Sequence, residues 1–388
     1  MTERIKVYYD FRLPGSGDAE PGLFRTYFKY CGERLSTLIE PIFDTRRSPK
    51  EVALWDRARV KLCSFRYRLP FSSCQGAGNA AVMHLFLRFP VRLNRPWISE
   101  CECIDQFGGF YSHDARREPY LRSLRAMMER DELSQMIVPS QASKKGFEAL
   151  GLPMGKVKVL YPGLGFIGDK VHHERERVRL LFNFGSGSLF FSKGGREVLD
   201  SFRILRKKFP RIELFVCGRD SQTKMGSVEG MTFVGYIPHD GYLKNLLPSA
   251  DILVHPTHMD TIGFVILEAM AAGLPVVATR HYAIPEIVEN GVNGYLVDDI
   301  KNVWYDSGFV PKLNYRQEYH STDRVFATEN EHMRAVEGLV FRLEKLIEDP
   351  ELRNRIGCAN RQKISEGLFS VDNRNRELVS VYREAIMP

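Results

Sequence analysis

The sequence predicts an α/β protein of two domains, each built on a parallel sheet. Three observations carry this reading. The chain has 388 residues, more than one hydrophobic core ordinarily organises. Short apolar runs alternate with helix-length stretches, the pattern of parallel strands joined by crossover helices that cover both faces of a sheet. Several runs end in glycine-bearing turns, as at Leu13-Pro14-Gly15-Ser16-Gly17 and Val216-Cys217-Gly218.

Residues 4–10 are expected as the first strand, followed by the turn with Gly15 and Gly17 and then a helix over about 23–39. Residues 80–86 and 96–99 read as short buried strands. Residues 135–138 form another, and Ser140 suits the N-cap of a helix that reaches Leu150 and stops at Gly151. Residues 157–161 are the last strand before Pro162-Gly163-Leu164-Gly165. The boundary is placed there, giving a first domain over 1–165 and a second over 166–370. In the second, strands are expected at 180–184, 212–217, 231–234, 252–255, 275–278 and 294–297, with 201–208 inside a helix. Residues 301–325, with Trp304, Tyr305, Tyr315 and Tyr319, break the alternation as an inserted loop. Helices resume from about Glu331, and the last segment, 370–385, is amphipathic.

Composition narrows the class. Hydrophobic residues make up 44% and charged residues 27%, as in an ordered globular chain. No apolar run approaches the roughly 20 residues that cross a bilayer, and Glu3, Arg4 and Lys6 charge the start, so the expected compartment is the cytosol. The seven cysteines are odd in number and lack zinc-ribbon spacing, which reads as reduced thiols. Residues 1–165 hold 26 Lys+Arg against 18 Asp+Glu, and the remainder 29 against 30. The positive field of the first half suits nucleic acid, anionic headgroups or an acidic substrate, and equally a set of solvated faces.

The most informative stretch runs from His255 to Val277. A strand leads into a loop, the loop into a helix opening near Thr261 to Gly263, and Gly273 stops that helix before the next strand. Free N–H groups and the helix dipole at such an opening attract phosphate, and Gly263 permits close approach. Asp260 before the helix and Glu268 within it repel phosphate but accept hydrogen bonds from hydroxyl groups. That division of labour suits a sugar nucleotide. A capping Asp and a solvated Glu are the alternative.

This stretch resembles the C-terminal signature of the retaining glycosyltransferases of family 4, glycosyl transferases group 1, whose fold is called GT-B. The match consists of Asp260 and Glu268 in the two acidic positions, then Ala269-Met270-Ala271, Gly273-Leu274-Pro275-Val276-Val277, Pro285-Glu286-Ile287-Val288 and Gly291-Val292-Asn293-Gly294. The resemblance implies two Rossmann-like domains facing across a cleft, with the last helix, about 371–388, packing back on the first. It implies that Asp260 contacts the transferred sugar, Glu268 the ribose, and the backbone of Thr261, Ile262, Gly263 and Phe264 the sugar and diphosphate. Upstream, Gly187-Ser188-Leu189-Phe190-Phe191-Ser192-Lys193-Gly194 resembles the segment whose Arg and Lys clamp the diphosphate. Lys193 is the retained cation, Ser188 stands in the arginine's place, and Arg196 and Arg219 are candidate substitutes. Gly218 lies where the backbone nears the nucleotide, and Tyr236-Ile237 where the base is held.

In the first domain Glu102 or Asp105 is expected to bind acceptor hydroxyls or assist proton removal, a buried pair with an arginine being the alternative. Gly15 and Gly17 are candidates for the diphosphate side of the cleft. No cofactor is expected beyond a UDP- or GDP-sugar donor. His255 and His258 lack the third ligand of a metal site, and no metal is expected. The implied partners are the nucleotide sugar and a glycan or lipid-linked acceptor, without nucleic acid. Contact of the basic half with the inner face of an anionic membrane stays open. The implied reaction is sugar transfer with retention; a GT-B epimerase or phosphorylase, or a degenerate protein that binds without turnover, are the alternatives.

Overall fold

The computed structural model of the chain describes residues 4–10, 38–43, 71–72, 74, 77–91, 95–108, 116–165, 177–185, 189–219, 226, 228–298, 300, 307, 309–310 and 328–387. Two compact units emerge. The first comprises Met1–Gly163, Tyr305–Asn314 and Leu368–Pro388; the second comprises Leu164–Trp304 and Tyr315–Gly367.

Among the described residues the sheet of the first unit has six parallel strands, β1 (Ile5–Asp10), β2 (Ile39–Phe43), β3 (Val82–Phe86), β4 (Trp97–Glu100), β5 (Leu133–Val138) and β6 (Val157–Val159), in spatial order β2-β1-β3-β4-β5-β6. Every residue of β3 and β4 is buried, as in a parallel sheet covered on both faces, and the polar His84, Ser99 and Glu100 are buried among the apolar side chains. Two helices are α1 (Glu118–Met128) and α2 (Gln141–Ala149). The Ser140 hydroxyl accepts the Ser143 N–H at 3.0 Å and caps α2. Gly151 follows it at φ +63°.

One expectation is corrected here. Ile39, placed at the end of a helix by the sequence reading, begins β2. Pro41 cannot sit inside a helix because it lacks an N–H and clashes with the preceding turn. An edge strand tolerates it, and among the described residues β2 pairs with β1 alone. The rest of that expected helix, like most of 301–325, lies outside the described residues.

The second unit repeats the plan with β7 (Arg179–Gly185), β8 (Glu213–Gly218), β9 (Met231–Gly235), β10 (Ile252–His255), β11 (Val276–Thr279) and β12 (Gly294–Val297) in order β9-β8-β7-β10-β11-β12. All its strands are parallel. The order reverses between β7 and β10, and such a switch point opens a crevice at the carboxyl ends of the strands. Helix α3 (Gly195–Lys208) buries Val198, Leu199, Phe202 and Leu205. They share one core with Phe182, Phe184 and Val216 of the sheet and with Ala335, Leu339 and Leu343. Each large apolar side chain removed from water there contributes about 1.5–3 kcal/mol.

Helix α4 (Phe264–Ala271) is apolar all round except for Glu268 and lies inside the unit. Helix α5 (Glu329–Glu348) starts at a reciprocal capping box between Thr328 and Glu331, a T-x-x-E signal that places its start in the sequence. Helix α6 (Pro350–Ser365) follows. The final helix, α7 (Val371–Ile386), is capped by Ser370 and contacts β3 and β5 of the first unit.

Candidate functional site

The site of the second unit forms where β10 leaves the sheet. Gly194, at φ +81°, presses against this exit: a Cβ there would stand 2.1 Å from the Pro256 carbonyl oxygen. Only glycine permits both the backbone angle and the approach. Ser192 O accepts the His258 N–H at 2.9 Å and the Thr257 hydroxyl at 3.3 Å. The turn ahead of α3 is thereby fastened to the loop after β10.

This docking brings Lys193 to Asp260. Lys193 Nζ donates to Asp260 Oδ2 at 2.7 Å and to the Met259 carbonyl at 3.0 Å. His255, the last residue of β10, reaches the same Oδ2 through Nε2 at 2.9 Å. An ionised carboxylate only accepts, so the ring proton is assigned to Nε2. Asp260 Oδ1 accepts the N–H groups of Thr261 at 3.0 Å and Gly263 at 3.1 Å. Burial penalises the Asp260 charge, but the Lys193 ammonium and the His255 hydrogen bond outweigh it and hold the carboxyl far below its usual range. Burial also lowers the His255 pKa, against the pull of Asp260.

The expected open helix terminus is corrected by these bonds. Two of its backbone donors, Thr261 and Gly263, already serve Asp260, which acts as the cap of the loop while pairing with the lysine. Ile262 and Phe264 are buried at 1% and 7% exposure, and Gly263 is the N-cap at φ +70°.

Glu268 lies deeper in α4, buried, with Oε1 2.9 Å from His239 Nε2. A carboxylate within an apolar helix requires such a partner. Its charge acts on Tyr242, whose phenol is pushed well above 10, first by burial and then by Glu268. Three residues before His239, Tyr236 is half exposed, and the Arg219 guanidinium lies 4.3 Å from the centre of its ring. Ile237 adjoins it. The Arg219 N–H donates to Gly185 O at 2.7 Å, so Arg219 sits at the carboxyl ends of β7 and β8. Arg196 instead pairs with Glu329 at 2.8 Å. Gly218 has a packing reason of its own, because a Cβ would meet the Phe184 ring at 2.3 Å. Gly15, Gly17, Gly187 and Ser188 lie outside the described residues.

In the first unit Glu102 is buried, its Oε2 accepting from Gln106 Nε2 at 3.1 Å while its N–H donates to Gln106 Oε1 at 2.6 Å. Glu102 thus organises the turn after β4. The Asp105 side chain lies outside what is described. The buried acid–arginine pair belongs to a neighbour: Glu100 receives two bonds from Arg374 of α7, at 2.8 and 3.0 Å. Tyr382 joins the cluster, 2.7 Å from His84 Nδ1 and 2.9 Å from Tyr9 Oη. Burial lowers the Arg374 pKa to about 9.

A second buried network also escaped the sequence reading. Glu197 Oε1 lies 3.2 Å from both His258 Nε2 and His332 Nδ1, and His332 Nε2 lies 2.9 Å from Asp200 Oδ2. Burial opposes the Glu197 charge, yet the two imidazoles lower its pKa to about 2. The Glu197 hydrogen bond raises the His332 pKa above 6.5. A raised histidine stabilises fully below its unfolded value, and its contribution fades as pH climbs through the folded value. The melting temperature of the second unit is therefore expected to fall above pH 6.5, and His332→Gln to flatten that slope. Equal slopes in both proteins by scanning calorimetry would remove His332 as the cause. The Glu197 contribution has the opposite sense, present above about pH 4.5 and lost as pH falls toward 2.

His255 and His258 turn to different carboxylates, and among the described residues no group of three or more His, Cys, Asp or Glu side chains could hold a metal ion. No described helix is long and apolar enough to cross a membrane.

Residues 174–303 match the family described as Glycosyl transferases group 1. An uncharacterised glycosyltransferase of Methanocaldococcus jannaschii is 28% identical over 216 residues, 50% of this chain and 53% of the relative. The amylovoran biosynthesis glycosyltransferase AmsK of Erwinia amylovora is 29% identical over 171 residues, 39% of this chain and 40% of its own length. The chain thus spans about half, or less, of the curated relatives it matches. HepE of Anabaena, solved in complex with UDP and glucose, superposes with a TM-score of 0.59 at 17% identity, over 98% of this chain and 100% of HepE. The architecture of two parallel α/β units is that of the GT-B fold.

Proposed function

We propose that this chain, whose residues 174–303 belong to the Glycosyl transferases group 1 family, moves a sugar from a nucleoside diphosphate to an acceptor hydroxyl with retention of anomeric configuration. One observation carries the reading: Lys193 and Asp260, 67 positions apart, meet at 2.7 Å where β10 leaves the switch point of the sheet. A cation that can take a diphosphate and a carboxylate that can take a sugar hydroxyl then share one spot. Glu268 in the following helix supplies a second carboxylate for the ribose, and Tyr236 with Arg219 a surface for the base. HepE binds UDP and glucose, which favours a uridine nucleotide over a guanosine one.

In the reaction the bond between the anomeric carbon and the diphosphate oxygen breaks. The acceptor oxygen bonds to that carbon on the same face, and its proton passes to the departing phosphate oxygen. Asp260, with both oxygens already engaged, is a poor nucleophile, which favours this direct route over a covalent intermediate. The acceptor class is a glycan or lipid-linked saccharide, and the basic first unit suits an anionic membrane face. The same engagement of Asp260 also favours a second reading, binding without turnover.

A panel of UDP- and GDP-sugars tests the proposal by thermal shift. A ligand at one hundred times its Kd stabilises the native state by about 2.7 kcal/mol, a rise of several degrees for a unit of this size. No rise with any member sinks the reading. A rise without transfer to any saccharide acceptor selects the second one.

A further inference from the structure

Asp260 is saturated with donors. Oδ2 holds Lys193 Nζ and His255 Nε2, and Oδ1 holds the N–H groups of Thr261 and Gly263. Each carboxylate oxygen has room for about two donors, so a sugar hydroxyl finds no open acceptor position while Lys193 remains. Of the four donors, two are backbone. The third, His255, is the last residue of a fully buried strand and only 1% exposed. Lys193 alone stands on a flexible four-carbon stem that can carry its charge elsewhere.

We propose that His255 is a positioning residue of the site. It holds Asp260 at the exit of β10 while Lys193 Nζ passes from Oδ2 to the diphosphate of the donor, and the vacated position on Oδ2 receives a hydroxyl of the transferred sugar. The proposal rests on the nucleotide-sugar reading above. His255 is suited to the task because its ring is buried and, among the described residues, its Nδ1 has no hydrogen-bond partner and Asp260 makes the polar contact with the ring. Its low pKa keeps the ring neutral, so it anchors the carboxylate without replacing the mobile cation. Without it, departure of Lys193 would leave Asp260 held through Oδ1 alone, free to rotate Oδ2 away from the sugar.

Two substitutions separate positioning from packing. The glutamine amide in His255→Gln reaches the place of Nε2, whereas the shorter asparagine amide in His255→Asn reaches only the place of Nδ1. With a donor identified by the thermal panel, His255→Asn is expected to lower kcat at least about tenfold while leaving donor KM within about threefold. His255→Gln is expected to recover kcat to within about threefold of the parent protein. Equal kcat in the two variants, or a loss confined to KM, overturns the proposal. A wild-type protein that responds to no nucleotide sugar overturns the functional reading and the proposal with it. A measurement on the unaltered protein covers the case in which a variant fails to fold. In nitrogen-resolved NMR of the histidine rings, adding inorganic pyrophosphate is expected to leave His255 neutral and hydrogen-bonded through Nε2–H. Loss of that signal, or protonation of the ring, overturns it.

Discussion

Replacing Lys193 with methionine is expected to lower kcat/KM for sugar transfer by about 10²–10³, the usual loss when one donor to developing negative charge is removed. The lysine is placed for this by geometry rather than by its own helix. The Gly194 backbone lets the turn lie against Pro256, and Nζ then meets Asp260 at 2.7 Å. In the ligand-free protein the same substitution deprives Asp260 of its cation, leaving His255 and two backbone groups to satisfy it. The lysine and aspartate side chains retain 17% and 15% exposure, so the cost is below that of a sealed pair, about 1–3 kcal/mol. Initial rates, with titration of inorganic pyrophosphate by calorimetry, check both parts. Unchanged rates together with unchanged pyrophosphate affinity would remove Lys193 from the site.

The largest effect on stability is expected from Arg374→Met in α7. Glu100 and Arg374 are 3% and 2% exposed. Removing the guanidinium takes two charge-assisted hydrogen bonds from a buried carboxylate, beside which His84 Nε2 lies at 3.1 Å. It also strips the Leu160 and Tyr161 carbonyls of their donors at 3.0 and 3.1 Å. Breaking one side of a buried pair costs about 3–5 kcal/mol, which for a unit of this size lowers Tm by roughly 10 °C. The double variant Glu100→Leu with Arg374→Met removes both charges and is expected to recover much of that loss, because burying a charge pair is itself expensive. Scanning calorimetry of the two single variants and the double variant decides the matter. A shift under about 2 °C for Arg374→Met would show that α7 is not held by this contact.

Much of the framework was legible because its causes are local. The strands Ile252–His255 and Gly294–Val297 coincide with apolar runs in the sequence, and the Ser140 cap lies within three residues of the N–H it binds. Other boundaries drifted by a few residues, since strand ends depend on neighbours that a linear reading does not see. Ile39–Phe43 was missed for a related reason: a run with Pro41 becomes a strand only once an edge position is available beside β1.

The chain alone determined that there would be two parallel-sheet units, because hydrophobic period, turn chemistry and capping act over a few residues, while its resemblance to the glycosyl transferases group 1 signature pointed to Lys193, Asp260 and Glu268 as the residues to watch. Only the tertiary structure decided which charges meet. His258 and Glu197 are 61 positions apart, Glu197 and His332 135, and Glu100 and Arg374 274. Such partners are chosen by proximity inside a medium that penalises every unpaired charge, and no spacing along the chain encodes that choice.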